Sequence, residues 1–170
     1  MIIWVTGLPG SGKTTFASEL SKMLKNNGVT PVTLDGDELR QALNNFSYDS
    51  TDRLALAKTY SKLAKLMSDQ GHVVIVATVS LFNEVQLWNR KNNNCYIEVL
   101  ISPSFDTLKG RNQKGLYDNY DSLDAIIKCK KMSSEFPDKP DFIIQDDTKN
   151  SLKDNIKAVY KEIKKRTNNV

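Results

Sequence analysis

Residues 2–15 read IIWVTGLPGSGKTT, an apolar β-branched run that breaks into a glycine-rich turn ending in Lys13, Thr14 and Thr15. Gly7 and Gly12 are separated by four residues, and Lys13 and Thr14 follow at once, which is the phosphate-binding loop spacing G-x-x-x-x-G-K-[ST]. Glycines let such a loop turn its N–H groups inward onto phosphate oxygens. A lysine there reaches the β- and γ-phosphates, and a following hydroxyl can ligate Mg2+. The helix expected from Lys13 to Asn26 adds its positive N-terminal end to the same spot. A strand-to-helix turn without a ligand is the plainer alternative, but it does not call for the lysine and the hydroxyl together. Gly7, Gly10, Ser11, Gly12, Lys13, Thr14 and Thr15 are therefore expected to cradle ATP, with Thr14 on its magnesium.

Working outward, four more β-type runs follow: PVTL (31–34), VVIVAT (73–78), YIEVLI (96–101) and FII (142–144). Helix-period stretches separate them, near 14–26, 37–45, 51–70, 82–91, 104–110 and 151–166. Alternation of this kind predicts an α/β fold, a five-stranded parallel sheet between two helical layers. The 170 residues suit one domain spanning 1–170. Segment 111–141 is rich in charge, glycine and proline and reads as a lid over the nucleotide, with an ordinary surface connection as the plainer alternative. No apolar run approaches the ~20 residues of a membrane span. The two cysteines, Cys95 and Cys129, lack metal-type spacing, so reduced thiols in the cytoplasm are expected. A net charge of +4, much of it in the tail KEIKKRTNNV, needs no nucleic-acid partner.

Ligands of parallel sheets bind at the carboxyl ends of strands. After the second strand comes LDGDELRQALN, with Asp35 and Asp37 flanking a glycine and Arg40 about one turn later. Two carboxylates beside a phosphate loop suit metal-bound water and proton acceptance from an attacking hydroxyl. Asp37 also reads as an N-cap, and Arg40 as the partner of an anionic group. After the third strand, VSLF contains no acid, and no N-K-x-D motif occurs, which separates the chain from switch GTPases. Ser80 and Phe82 follow that strand and are candidates for the acceptor side. His72, the only histidine, precedes the third strand and is assigned a structural role. Trp4 is expected in the core, and Trp88 to pack a helix onto the sheet.

Four segments together resemble the adenylylsulfate (APS) kinase family: GLPGSGKTT (7–15), LDGDELRQALN (34–44), Asp52-Arg53 opening a long helix, and RNQKGLY (111–117). The likeness spans residues 1 to about 117 and then thins. It implies a P-loop kinase fold and transfer of the ATP γ-phosphoryl group to a ribose 3′-hydroxyl of a small nucleotide. It implies further that Arg40 and Arg53 hold the acceptor's anionic end and that Tyr48 stacks on its base. Arg111 and Lys114 would lie over ATP, and Lys114, Gly115 and Leu116 would also border the acceptor. Two departures stand out. Leu56 occupies the place of an expected asparagine, and no F-T-G-I-type segment follows K-G-L-Y to close the far side of an adenine. Losing one stacking face costs ~1–3 kcal/mol. The expectation therefore leans to a pyrimidine acceptor, as in the cytidine diphosphoramidate kinases of this family that serve capsule modification. Adenylylsulfate is the alternative, and a non-catalytic nucleotide-binding module the alternative of another class. Whether the chain forms a homodimer is left open by these residues.

Overall fold

The computed structural model describes residues 1–47, 49–112, 115–118, 134–145 and 149–167. In chain order its elements are β1 (Ile2–Thr6), α1 (Lys13–Asn26), β2 (Val32–Asp35), α2 (Gly36–Ala42), α3 (Ser50–Asp69) and β3 (Val74–Thr78). They continue with α4 (Asn83–Asn92), β4 (Tyr96–Ile101), α5 (Phe105–Arg111), β5 (Phe142–Ile144) and α6 (Lys149–Thr167). The strands pair in parallel in the order β2-β3-β1-β4-β5. β1, β3 and β4 are buried at every residue, which is why they read as continuous apolar runs rather than alternating ones. Each of the five lies within one residue of its sequence expectation.

Alternate residues feed two helical layers. Ile3, Val5, Ile75 and Val99 pack with Phe16, Leu20 and Leu24 of α1 and with Ile156, Val159 and Ile163 of α6. On the opposite face, Ile2, Trp4, Val76 and Tyr96 pack with Leu56, Ala57, Tyr60 and Ala64 of α3 and Val85 of α4. A third cluster caps the carboxyl ends of the strands, where Leu8, Leu81, Leu100, Leu108 and Tyr117 meet. β1 sits between β3 and β4, so the chain goes to β2 on one side and, later, to β4 on the other. The crevice at the mouth of β1 is that switch point, and it receives the glycine-rich loop.

One expectation changes. The helix expected over 37–45 stops at Ala42, because Asn44 takes a left-handed φ of 49° and turns the chain out of the helix. Trp88, expected to pack its helix onto the sheet, is half-buried. Val85, Gln86 and Asn89 fill α4's buried side, and Trp88 borders a cavity of about 220 Å3 against Lys58, Ser61 and Lys62 of α3.

Polar groups hold the far edge of the sheet. Glu98, 1 % exposed within β4, accepts from Arg90 at 2.8 Å and from the Tyr96 hydroxyl at 3.0 Å. Asp141 accepts from Arg166 at 2.7 Å and from the Glu98 N–H at 2.8 Å. α4, β4, β5 and α6 are thereby fastened together. His72 lies where β3 begins, at the opposite end of the sheet from the glycine-rich loop, and its carbonyl accepts from the Met1 amino group. Among the described residues no helix is long and apolar enough to cross a membrane.

Candidate active site

Leaving β1, the chain uses glycine where no other residue fits. Gly7 has φ +151°, and a Cβ there would lie 2.3 Å from the carbonyl oxygen of Ile101. Gly12 caps α1 in a left-handed conformation, so the first turn of that helix opens onto the loop. Lys13 is only 9 % exposed, and its Nζ donates to the Leu8 carbonyl at 2.7 Å. Burial brings its pKa from 10.5 down to about 8, against the opposing pull of Asp35 and Asp37. Ser11 Oγ is buried in the same loop without a hydrogen-bond partner among the described residues. A buried hydroxyl without a partner is uncommon and is satisfied well by a bound oxyanion.

The two aspartates meet this loop from the neighbouring strand but one. The Thr14 hydroxyl donates to Asp35 Oδ2 at 2.7 Å, and Asp35 Oδ1 accepts from the Asp37 N–H at 2.9 Å. Asp35, not Asp37, is therefore the N-cap of α2. The reason is the turn: β2 runs through Asp35 in extended geometry, and only the residue before the first helical turn can accept its N–H groups. Gly36 lets this turn close on β3, since a Cβ there would stand 3.0 Å from Thr78 Oγ1. Among the described residues no cluster of three His, Cys, Asp or Glu side chains could hold a metal. Thr14 and Asp35 still suit Mg2+, which takes one or two protein oxygens and draws the remainder from phosphates and water.

On the other side of the crevice Arg40 and Arg53 come close enough for their charges to interact. Burial, then repulsion from Arg40, lowers the Arg53 pKa. Two half-buried guanidinium groups together favour an anion between or beside them. Arg40 donates to the Ser47 carbonyl at 2.7 Å, fixing the loop after α2, and Arg53 lies 5.7 Å from the centroid of the Phe82 ring. Beside them a cavity of about 340 Å3 is lined by Ser50, Leu54, Phe82, Asn83, Glu84 and Glu135. Ser80 Oγ is fully buried and lacks a partner among the described residues. Leu56, where a polar amide was expected, is 6 % exposed and packs in the apolar layer with Leu39, Tyr60 and Phe82. Tyr48 and Lys114 lie outside the described residues. Phe46, not singled out from sequence, is 61 % exposed in the loop that Arg40 holds.

The last residue of α5 and the turn beyond it attach to the phosphate loop. Arg111 Nη1 donates to the carbonyls of Gly10 at 3.2 Å and Ser11 at 3.0 Å. Gly115 and Leu116 are exposed in the turn that leads to Tyr117. Tyr117 is fully buried, its hydroxyl donates to the Pro9 carbonyl, and burial raises its pKa to about 12. In the sequence Tyr117 is the last residue of K-G-L-Y and carries no assigned role. Its place as a large aromatic amid polar turn residues was the available signal.

This geometry has a match among known proteins. The sequence profile described as adenylylsulphate kinase matches residues 1–145. The chain belongs to the adenylylsulfate kinase family. The kinase is 39 % identical to the cytidine diphosphoramidate kinase of Campylobacter jejuni subsp. jejuni serotype O:2 over 166 residues, 95 % of either chain. It is 36 % identical to adenylyl-sulfate kinase 3 of Arabidopsis thaliana over 155 residues, 80 % of this chain and 74 % of the plant protein. Among solved structures, the Mycobacterium tuberculosis APS kinase CysC in complex with AMPPNP and APS superimposes with a TM-score of 0.77. It is 28 % identical and covers 94 % of this chain and 95 % of that one.

Proposed function

We propose that this kinase transfers the γ-phosphoryl group of ATP to the ribose 3′-hydroxyl of a cytosine nucleotide, cytidine diphosphoramidate. The observation that carries the acceptor is the near end-to-end likeness, 39 % identical over 95 % of both chains, to a kinase named for that compound. The packing of Leu56 into the apolar layer supports it, since no amide is offered there to a purine.

Gly7 to Thr15 hold the triphosphate, and Lys13 exchanges the Leu8 carbonyl for phosphate oxygens, where its charge offsets what develops on the transferring group. Mg2+, held by Thr14 and Asp35, would neutralise phosphate charge when bound. Asp35 is committed to that side, its Oδ2 beside the Thr14 hydroxyl and its Oδ1 accepting from the Asp37 N–H. That leaves Asp37 to accept the proton of the 3′-hydroxyl while the new O–P bond forms and the bond to ADP breaks. Arg40 and Arg53 hold the acceptor's anionic end, with Tyr48, Ser80 and Phe82 toward its nucleoside. Arg111 and Lys114 close the ATP side, and Gly115 and Leu116 border the acceptor.

Adenylylsulfate as acceptor is the second reading, supported by the likeness to the tuberculosis kinase solved with AMPPNP and APS. The deciding assay is kcat/KM for the two acceptors under one set of conditions, because that ratio reports differential transition-state binding. The cytosine compound is expected to win, with the new phosphate on the 3′-oxygen. An advantage of tenfold or more for adenylylsulfate, ~1.4 kcal/mol, overturns the assignment.

A further inference from the structure

α4 starts without a cap of its own. Phe82 stands at its N-cap position; its carbonyl takes the N–H groups of Val85 at 3.0 Å and Gln86 at 3.1 Å, but its side chain has no acceptor for the N–H groups before them, which are left over in every helix. A residue 52 positions away supplies the missing acceptor. Glu135 Oε2 accepts from the Asn83 N–H at 2.7 Å. The same residue binds twice more by its backbone, its N–H donating to the Leu81 carbonyl at 2.9 Å and its carbonyl accepting from Gln86 Nε2 at 2.8 Å. Three bonds from one residue thus grip the stretch 81–86. Phe136, next along, packs with Leu81 in the cluster at the strand ends.

What this grip holds is the acceptor side. Phe82 lies inside the clamped stretch, carries the Arg53 guanidinium 5.7 Å above its ring, and lines the 340 Å3 cavity that Glu135 also lines. We infer that Glu135 is a positioning residue of the acceptor half-site, acting through the Leu81–Asn83 backbone to fix Phe82 and hence Arg53. The carboxylate also sits at the positive end of α4, so its charge and its hydrogen bond work in the same direction. The ATP half-site lies on the β1–α1 connection, and none of Glu135's three bonds reaches it. The inference rests on the assignment of the Arg40–Arg53 side to the acceptor.

The test compares Glu135→Ala and Glu135→Gln with the wild-type enzyme in steady-state kinetics, with both acceptors and with ATP varied in turn. Gln keeps an oxygen for the Asn83 N–H, so it is the rescuing variant. Glu135→Ala is expected to raise the acceptor KM about tenfold, at the upper end of what a lost cap does, and to leave ATP KM within about twofold. Glu135→Gln is expected within about threefold of wild type for the acceptor, since a neutral cap retains most of the bond. Because the effect runs through Phe82, adding Glu135→Ala to Phe82→Leu should cost far less than it does alone. Equal rises in both KM values, unchanged acceptor KM in the Ala variant, or a Gln variant as impaired as Ala overturns the inference. A wild-type enzyme that turns over neither acceptor overturns the acceptor assignment itself, and the inference with it. A wild-type enzyme that works beside an unaffected Ala variant overturns only the role of Glu135.

Discussion

Replacing Lys13 by Met should make the nucleotide-free protein more stable and the enzyme inactive. The side chain is 9 % exposed, and burial pulls its pKa from 10.5 to about 8. At neutral pH that difference costs the folded state roughly 3 kcal/mol against the unfolded chain, where the amine is hydrated. Its hydrogen bond to the Leu8 carbonyl returns part, roughly 1.5–3 kcal/mol for a charged donor. Met has a similar length, brings no charge to bury, and leaves the Leu8 carbonyl still accepting from the Ser11 N–H at 3.2 Å. The expected net gain is about 1 kcal/mol, a rise in melting temperature of ~2–4 °C for a chain of this size. The folded pKa is the lowered one, so the unfolded state binds more protons between pH 8 and 10.5, and wild-type stability climbs across that window. The gap between variant and wild type should therefore close as pH rises through it. Thermal melts with and without Mg·ATP, and turnover with excess acceptor, check both halves. Kcat should fall by ~100-fold or more, and Mg·ATP should raise the melting temperature of wild type well above that of the variant. A variant that melts lower than wild type without nucleotide, or that keeps more than about a tenth of kcat, refutes the reasoning.

The same lysine sets a pH dependence: kcat/KM for ATP should decline as pH rises through about 8, because the free enzyme then loses the Lys13 charge. A flat profile well above that pH shows that the charge is not needed. Asp37→Asn is expected to lower kcat by ~100-fold or more with little change in acceptor KM, whereas Asp35→Asn should chiefly raise the Mg2+ concentration needed for half-maximal rate. Magnesium titrations of both variants separate the roles, and equal magnesium demand in the two would reject the split. Gly7→Ala forces a Cβ to 2.3 Å from the Ile101 carbonyl at φ +151°. It should cost ~2–4 kcal/mol, seen as a melting temperature lower by several degrees, and a wild-type melt would show that the loop and β4 move apart freely.

The parts legible in the sequence are those whose geometry closes within a few residues. The glycine spacing from Gly7 to Gly12, the strand runs and the α1 start depend on neighbours along the chain, so the strands fell within one residue of expectation. The glycine-rich loop, the LDGD turn and Arg40 were likewise visible as patterns, and parallel topology put them at one end of the sheet. Even there, the choice of Asp35 over Asp37 as cap turned on where β2 stops, one residue later than the apolar run suggests. Other features depended on chain crossings that no local pattern encodes. Tyr117 reaches Pro9 across 108 residues, Glu135 caps α4 across 52, and Arg53 settles on Phe82. Leu56 illustrates the difference most simply. In the sequence it is an amide that is missing, and in the fold it is a side chain packed among Leu39, Tyr60 and Phe82. Backbone propensity and period act over one or two turns, whereas a contact between distant segments is decided by which faces the sheet presses together.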